Sequence, residues 1–90
     1  MLLKSLAPIM VKPLPGSSRN ISLSKIKILP TMLSHPPKPY KIAQRYTYYL
    51  RNREFQSPII LDHNYNLIDG YITYLIAKMM GCKAVEVKFI

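Results

Sequence analysis

Proline constrains the first half of this 90-residue chain more than any other residue type. Residues 1–20 contain three prolines and then Gly16, and a second cluster lies in residues 30–39. Proline lacks a backbone donor and fixes φ, so neither stretch is expected to form a long helix or a central strand. We therefore predict an extended or disordered tail over residues 1–20, one folded domain over residues 21–90, and a stiff connector at residues 30–39.

Outside these clusters, the spacing of apolar residues changes between strand and helix periods. Residues 21–29 alternate, with Ile26 and Ile28 on one face, which is typical of a half-buried strand. Helical spacing runs from Lys38 to Asn52, with proline in the first turn, where a helix tolerates it. The apolar stripe of this helix consists of Ile42, Tyr46, Tyr49 and Leu50.

The second half of the chain predicts a hairpin, a helix and a final strand. Asp62 ends a short apolar run, and residues 63–66 supply a turn in which asparagine tolerates positive φ. Asp69 is the expected N-cap of a helix over residues 71–80, which Gly81 ends. Its apolar face is predicted to contain Ile72, Leu75, Ile76, Met79 and Met80. In the last strand, Val85, Val87 and Phe89 alternate with Glu86 and Lys88.

The charge of the chain limits its partners. Thirteen lysines and arginines against four acidic residues give a formal charge of +9. Such a field attracts polyanions, so a nucleic acid, an anionic lipid or an acidic protein surface are the candidates. No apolar run approaches the roughly 18 residues of a membrane span, and we expect no membrane partner. The apolar segment Met1–Val11 is interpreted as a tail or docking segment, and the single Cys82 fits a reducing cytoplasm.

The order of elements, with the sequence PIILDHNYNLIDGYITYLIAKMMGCKAVEVKFI, resembles the ParB N-terminal and sulfiredoxin-like family. The resemblance covers about residues 21–90 and implies a small α+β (mixed α/β) domain of order β-α-β-β-α-β. In that family, the loop and helix start after an Asp-Gly or Gly-Gly step form an anion site. The resemblance therefore implies weak anion binding here, by Asp69, Gly70, Tyr71, Ile72 and Thr73.

The residues after Gly70 depart from the family pattern. ParB proteins carry Gly-Glu-Arg-Arg there, which binds a nucleoside triphosphate, and sulfiredoxins carry Gly-Cys-His-Arg with a nucleophilic cysteine. Here Tyr71, Ile72 and Thr73 follow the glycine, and Cys82 lies beyond the helix, where a packed role is expected. We expect no catalytic residues, no enzymatic activity and no cofactor. Without a helix-turn-helix domain after Ile90, no sequence-specific DNA reading is expected either.

Two helical stripes combine basic and tyrosine side chains, a composition typical of non-specific nucleic-acid binding. The predicted nucleic-acid-binding residues are Lys38, Lys41, Arg45, Tyr48, Tyr71, Tyr74 and Lys78. The alternative is that these stripes are solvated faces with half-buried tyrosines. A divalent-metal nuclease site would need Glu54, Asp62, His63 and Asp69 as ligands, but these residues lack a recognised ligand spacing. Because Asp62 and Asp69 stand where a turn and a helix cap favour aspartate, structural roles are predicted and no metal site.

These observations favour a non-catalytic ParB-like accessory protein that binds nucleic acid or its machinery. The resemblance further implies a plasmid or phage context, since small stand-alone versions look like products of such elements. Two alternatives stay open. One is a nucleotide-binding or nuclease-type domain that uses Gly70 and the helix start. The other is an inhibitor or adaptor that binds an acidic protein, for which the Met1–Val11 segment would dock on the partner or on a second copy.

Overall fold

The computed structural model describes residues 13–90, and the expectations for Met1–Val11 lie outside this part of the chain. The elements are β1 (Ser18–Ser22), a 3₁₀ turn (Leu23–Lys25), α1 (Pro30–Ser34), α2 (Pro39–Asn52), β2 (Ile59–Leu61), β3 (Leu67–Asp69), α3 (Tyr71–Met79) and β4 (Ala84–Phe89). The predicted mixed α/β order is confirmed, with α1 as an additional short helix. None of the helices in the described part has both the length and the apolar character that a bilayer span needs.

The four strands form one sheet in the order β1-β4-β2-β3. β4 lies in the middle, antiparallel to β1 and parallel to β2, while β2 and β3 form the predicted antiparallel hairpin. Val87 and Phe89 of β4 pair with Ile59 and Leu61 of β2. Side chains on alternating positions of β4 face opposite ways, so Val85, like Val87 and Phe89, is buried while Glu86 and Lys88 are exposed, as predicted. The burial of each of these apolar side chains contributes about 2 kcal/mol to folding.

The strand predicted over residues 21–29 is wrong in its extent. β1 ends at Ser22, and the chain then makes a 3₁₀ turn in which Leu23 and Ile26 are both buried. Residues three positions apart lie on the same side of a 3₁₀ turn. Leu23 and Ile26 are therefore buried together, in place of the alternating pair Ile26 and Ile28. Lys27 returns to the sheet as an isolated bridge, parallel to Asn66 beside β3.

The predicted irregular connector at residues 30–39 is partly helical. Pro30 starts α1 because its fixed φ suits the first helical position, where its missing N–H costs nothing. The helix ends after Ser34, and the His35 ring lies within hydrogen-bond distance of the Thr31 carbonyl, with Nδ1 at 3.0 Å. The His35 side chain is thereby held within its own turn.

The buried face of α3 differs from the predicted one. Thr73, Tyr74, Ile76 and Ala77 are buried, whereas Met79 is 62% exposed. The small side chains of Thr73 and Ala77 allow the helix to lie close to the sheet, so this face and not the bulkier one packs inward. On α2, Leu50 was likewise expected on the apolar stripe but is exposed, and α2 contains no buried residue.

The first residues of α3 pack even more closely against the sheet, at the start of β2. Gly70 adopts a φ of +91°, and a Cβ there would lie 2.8 Å from Ile59 Cα and would overlap the Pro58 carbonyl oxygen. Gly70 is itself the N-cap of α3, which corrects the assignment of that role to Asp69, the last residue of β3. Only glycine satisfies both the left-handed backbone and the contact with the start of β2.

Candidate functional site

The predicted nucleic-acid-binding residues of the first helix lie along one side of α2, termed its basic side. Lys38 and Lys41 are exposed, whereas Arg45 and Tyr48 are half-buried along the same side of the helix. The helix carries no acidic residue, so nothing on α2 offsets these charges. Tyr49, one turn after Arg45, stacks its ring on Phe55 with centroids 4.7 Å apart. This contact fixes the end of the helix to the following loop, while Lys38 and Lys41 stay exposed.

Arg45 connects this side of α2 to the segment that precedes β2. Its Nη1 atom donates a hydrogen bond of 3.1 Å to the Ser57 hydroxyl. The Ser57 carbonyl in turn accepts a hydrogen bond of 2.8 Å from the Thr73 hydroxyl of α3. Ser57 therefore joins α2 and α3, and two hydrogen bonds through Ser57 link the Arg45 guanidinium to the first turn of α3.

The first turn of α3 lacks the chemistry of a phosphate clamp. Thr73 stands where the family pattern implies an arginine, and its side chain is buried and directed to Ser57. The Asp69 carboxylate accepts a hydrogen bond of 2.8 Å from the Gly70 amide, which places a negative charge beside the helix start. A carboxylate at this end stabilises the helix dipole and repels a second anion. Arg45 is thus the nearest basic residue that the hydrogen bonds connect to this turn.

The predicted stripe Tyr71, Tyr74 and Lys78 does not form one exposed surface. Tyr74 belongs to the hydrophobic core and is only 9% exposed, which corrects its assignment to a solvent-facing stripe. Tyr71 is half-buried and packs on Tyr74, with ring centroids 6.3 Å apart. Lys78 is exposed and lies with Lys83 beside an open groove. Base stacking on Tyr74 would require the core to open, and of the three residues only Lys78 is exposed.

A cleft of about 630 Å³ lies beside the C-terminal half of α2, and sequence inspection did not find it. Its lining comes from segments that are far apart in the chain, including Asn20, Tyr49, Phe55, Cys82 and Glu86. Two basic residues, Arg53 and Lys88, and two acidic residues, Glu54 and Glu86, line the cleft, so their charges offset one another. Because these residues share no local pattern, no sequence motif could have indicated the cleft.

Two of the four candidate metal ligands, Asp62 and Asp69, have structural roles in the described part of the chain. Within residues 13–90, no three histidine, cysteine, aspartate or glutamate side chains lie close enough to hold a metal ion. The Asp62 carboxylate accepts hydrogen bonds from the Asn64 amide at 2.8 Å and the Asn66 amide at 2.9 Å, with a third from Asn66 Nδ2 at 3.0 Å. Asp62 thus organises the hairpin turn, as predicted.

These contacts also change the acidity of Asp62. Partial burial raises the pKa of this carboxyl, but the hydrogen bonds from Asn66 and Asn64 and the nearby His63 outweigh that effect, so the pKa lies below its ordinary value. In the same turn, the positive φ of 69° belongs to Tyr65, although asparagine was expected to adopt it. The Tyr65 ring packs 5.6 Å from Phe89, and this burial favours the left-handed conformation there.

Comparison with known proteins identifies the fold. No protein-family model matches the sequence, and no curated protein matches it. A pNOB8-like ParB N-domain matches with a TM-score of 0.67 and 28% identity, over 88% of this chain and 31% of that chain. Sulfiredoxin from Arabidopsis thaliana matches with a TM-score of 0.67 and 19% identity, over 82% of this chain and 84% of that chain.

A third structure is the C-terminally truncated chromosome-partitioning protein ParB from Caulobacter crescentus, complexed with CTP-gamma-S. It matches with a TM-score of 0.63 and 16% identity, over 83% of this chain and 44% of that chain. The protein is therefore a small mixed α/β domain, and its fold is the ParB/sulfiredoxin-like fold. The chain spans about a third of the ParB N-domain chain that it matches, 31%, and most of the sulfiredoxin.

Proposed function

We propose that this protein is a non-catalytic ParB-like accessory protein that binds nucleic acid through the basic side of α2. The observation that carries the proposal is the exposure of Lys38 and Lys41, beside Arg45, on a helix without an acidic residue. Basic side chains aligned along a helix can neutralise successive phosphates and release the counterions condensed on them. We place this activity in the cytoplasm and in a plasmid or phage context.

The charge of the whole domain supports the same proposal. Of the 13 basic and four acidic residues in the sequence, 11 basic residues and all four acidic ones lie within residues 13–90. The described part therefore carries 11 − 4 = +7. A field of this size steers polyanions toward the domain, and the local absence of acidic groups makes α2 the favoured place of contact.

The first turn of α3 supports the non-catalytic part of the proposal. A triphosphate site needs preorganised positive charge, and a sulfiredoxin-type reaction needs a reactive thiol after the glycine. In this chain the buried Thr73 and the carboxylate of Asp69 occupy the surroundings of Gly70. Cys82 is half-buried at the far end of α3, beyond Gly81.

The test is fluorescence anisotropy with labelled single- and double-stranded DNA and RNA, titrated across a series of salt concentrations. We expect log K to fall linearly against log salt. In the double variant Lys38→Ala/Lys41→Ala, each lost lysine should lower the salt slope by about 1, and the affinity should fall by about tenfold or more near 0.1 M salt. Both lysines are exposed, so the fold should be retained.

The matched control is Lys25→Ala/Lys83→Ala. It removes two exposed lysines outside α2, near the junction where the Leu23 amide bonds the Lys83 carbonyl. This control should change the affinity by less than about threefold, since it alters only the general field. Equal losses in the two double variants would show that charge alone, and not the α2 surface, determines binding. No binding of the wild type at low salt would refute the proposal.

One observation favours a second candidate, nucleotide binding at the start of α3. Arg45 is linked to that turn through Ser57, and an arginine from α2 could supply the charge that position 73 lacks. The likeness to a ParB structure complexed with CTP-gamma-S makes cytidine triphosphate with magnesium the first ligand to test. A saturable rise in melting temperature that Arg45→Ala abolishes and Arg51→Ala retains would favour this candidate over the first.

A further inference from the structure

The two edges of the sheet differ in how their backbone groups are satisfied. At the β3 edge, Lys27 covers the start of the strand, because its amide bonds the Tyr65 carbonyl at 2.9 Å and its carbonyl accepts from the Leu67 amide at 2.8 Å. β1 forms the other edge and has β4 as its neighbour. Within residues 13–90, no second strand pairs with β1.

The register of β1 shows which backbone groups point outward. The Leu23 amide bonds the Lys83 carbonyl at 3.0 Å, and the Phe89 amide bonds the Ser17 carbonyl at 2.9 Å. Hydrogen-bonded and non-bonded pairs alternate along an antiparallel ladder, so the odd-numbered residues of β1 bond to β4. The outward groups are consequently the N–H and C=O of Ser18, Asn20 and Ser22, and no backbone bond within residues 13–90 reaches them.

The open edge adjoins the cleft beside α2. Asn20, in the middle of β1, is exposed and lines this cleft together with the stacked Tyr49 and Phe55 rings. A strand added to β1 would place alternate side chains on the same face as Asn20. In recognition by strand addition, backbone hydrogen bonds supply affinity and pockets for alternate side chains supply specificity. The aromatic walls suit one apolar side chain of such a strand.

The charges around the edge indicate the chemistry of the occupant. Arg19 on β1 is exposed, with its guanidinium carbon 5.8 Å from the Phe89 ring centroid, and Lys88 pairs opposite Ser18. Lys83 and Lys25 flank the other end of the strand, and Glu86 is the only acidic residue on β1 or β4. A second copy of the chain would bring another +9 to this edge and would be repelled.

We propose that the outer edge of β1 binds an extended acidic segment of a partner protein, which adds a strand to the sheet and inserts one apolar side chain into the cleft. Neither Lys38 nor Lys41 lines the cleft, although α2 contributes Tyr49 to it. The proposal therefore does not depend on nucleic-acid binding, and the Lys38→Ala/Lys41→Ala variant is expected to retain peptide binding.

The probe is a synthetic fluorescent peptide of alternating glutamate and valine with one central phenylalanine. Two peptides serve as comparisons: the same sequence with alternate backbone nitrogens methylated, and polyglutamate of equal charge. The full chain should bind the first peptide about tenfold or more tightly than either comparison, because the methylated peptide cannot complete the ladder and polyglutamate has no apolar side chain for the cleft. Equal affinity for all three would mean that charge alone attracts them, and would overturn the proposal.

Substitutions of Asn20 distinguish the contribution of its backbone N–H to peptide binding from that of its side chain. Asn20→Pro removes an outward N–H without removing a bond to β4, and proline is tolerated on an outer edge. It should weaken peptide binding by about tenfold, while Asn20→Ala, which keeps the N–H, should weaken it by less than about threefold. If both variants bind like the wild type, the edge is not the binding surface.

Hydrogen exchange of the wild-type chain gives a measurement that does not depend on how Asn20→Pro folds. In the free chain, the Asn20 and Ser22 amides should exchange rapidly, and the peptide should slow them. Amides that are already protected in the free chain would show that another segment of the same chain, such as residues 1–12, covers the edge, and would overturn the proposal. Amides that stay fast at saturating peptide would do the same.

Discussion

The Arg45 guanidinium and the Ser57 hydroxyl form a hydrogen bond of 3.1 Å between residues that are 12 positions apart. The Ser57 carbonyl oxygen accepts a hydrogen bond from the Thr73 hydroxyl. This pair of bonds joins α2 to α3 across the segment that leads into β2, so Arg45 has a structural role beside any contribution of its charge to binding.

Substitution at the two residues separates these roles. Ser57→Ala removes the partner of Arg45 but keeps the positive charge, and it should lower the free energy of unfolding by about 1 kcal/mol without changing nucleic-acid affinity. Arg45→Ala should lower both the free energy of unfolding and the nucleic-acid affinity. Urea unfolding and fluorescence anisotropy measure the two effects. Equal loss of affinity in both variants would indicate that the position of the guanidinium, and not its presence alone, determines binding.

Gly70 is required for packing, and its replacement should destabilise the domain strongly. We expect Gly70→Ala to cost about 3 kcal/mol or more, from the left-handed backbone and the overlap with Pro58 and Ile59. Gly81→Ala is the matched control, since Gly81 has a φ of +77° but no atom within 4 Å of an added Cβ. It should cost only about 1 kcal/mol in urea unfolding, from the backbone alone. Similar losses at both positions would contradict the close contact at Gly70.

Tyr74 acts through the core. Tyr74→Ala should lower the free energy of unfolding by about 3 kcal/mol, because it opens a cavity beneath α3. Tyr74→Phe keeps the ring and should leave both stability and nucleic-acid affinity near the wild-type values. A selective loss of nucleic-acid affinity in a stable Tyr74→Phe variant would show that the phenol reaches the bound ligand after all.

The hairpin turn should make stability depend on pH. Because the folded pKa of Asp62 lies below its ordinary value of 3.8, this carboxylate stabilises the fold above the unfolded pKa, and the contribution is lost as pH falls through the folded pKa. Asp62→Asn cannot ionise, so the difference in melting temperature between wild type and variant should shrink between about pH 5 and pH 2. A difference that is constant over this range would mean that the Asp62 hydrogen bonds do not require its charge.

Local patterns predicted a large part of the fold. The alternation in β4 indicated which side chains are buried, because successive side chains of a strand point to opposite faces of the sheet and only one face packs on the core. Helical spacing after Pro39 located α2, and Asp62 with its following asparagines indicated the hairpin turn. The strand over residues 21–29 failed because alternation cannot reveal that the chain turns after Ser22.

The candidate site was predictable only in part, for a related reason. Basic residues three or four positions apart lie on one side of any helix, so Lys38, Lys41 and Arg45 could be grouped from spacing alone. The same rule grouped Tyr74 with Tyr71 and Lys78, although the sheet takes up the Tyr74 ring. Spacing gives the angular position of a side chain around a helix, but it does not give the side on which the sheet lies.

The sequence by itself determined the charge of the domain, the order of its elements and the identity of the residues Tyr71, Ile72 and Thr73 after Gly70. Each of these follows from residue identity or from contacts between near neighbours in the chain. Only the tertiary structure decided that Asn20 borders a cleft with Tyr49 and Phe55, that one edge of the sheet stays open in the described residues, and that Thr73 faces Ser57. These relationships depend on how segments that are distant in the chain pack against one another. Close packing of the whole core decides that arrangement, and no local sequence pattern encodes it.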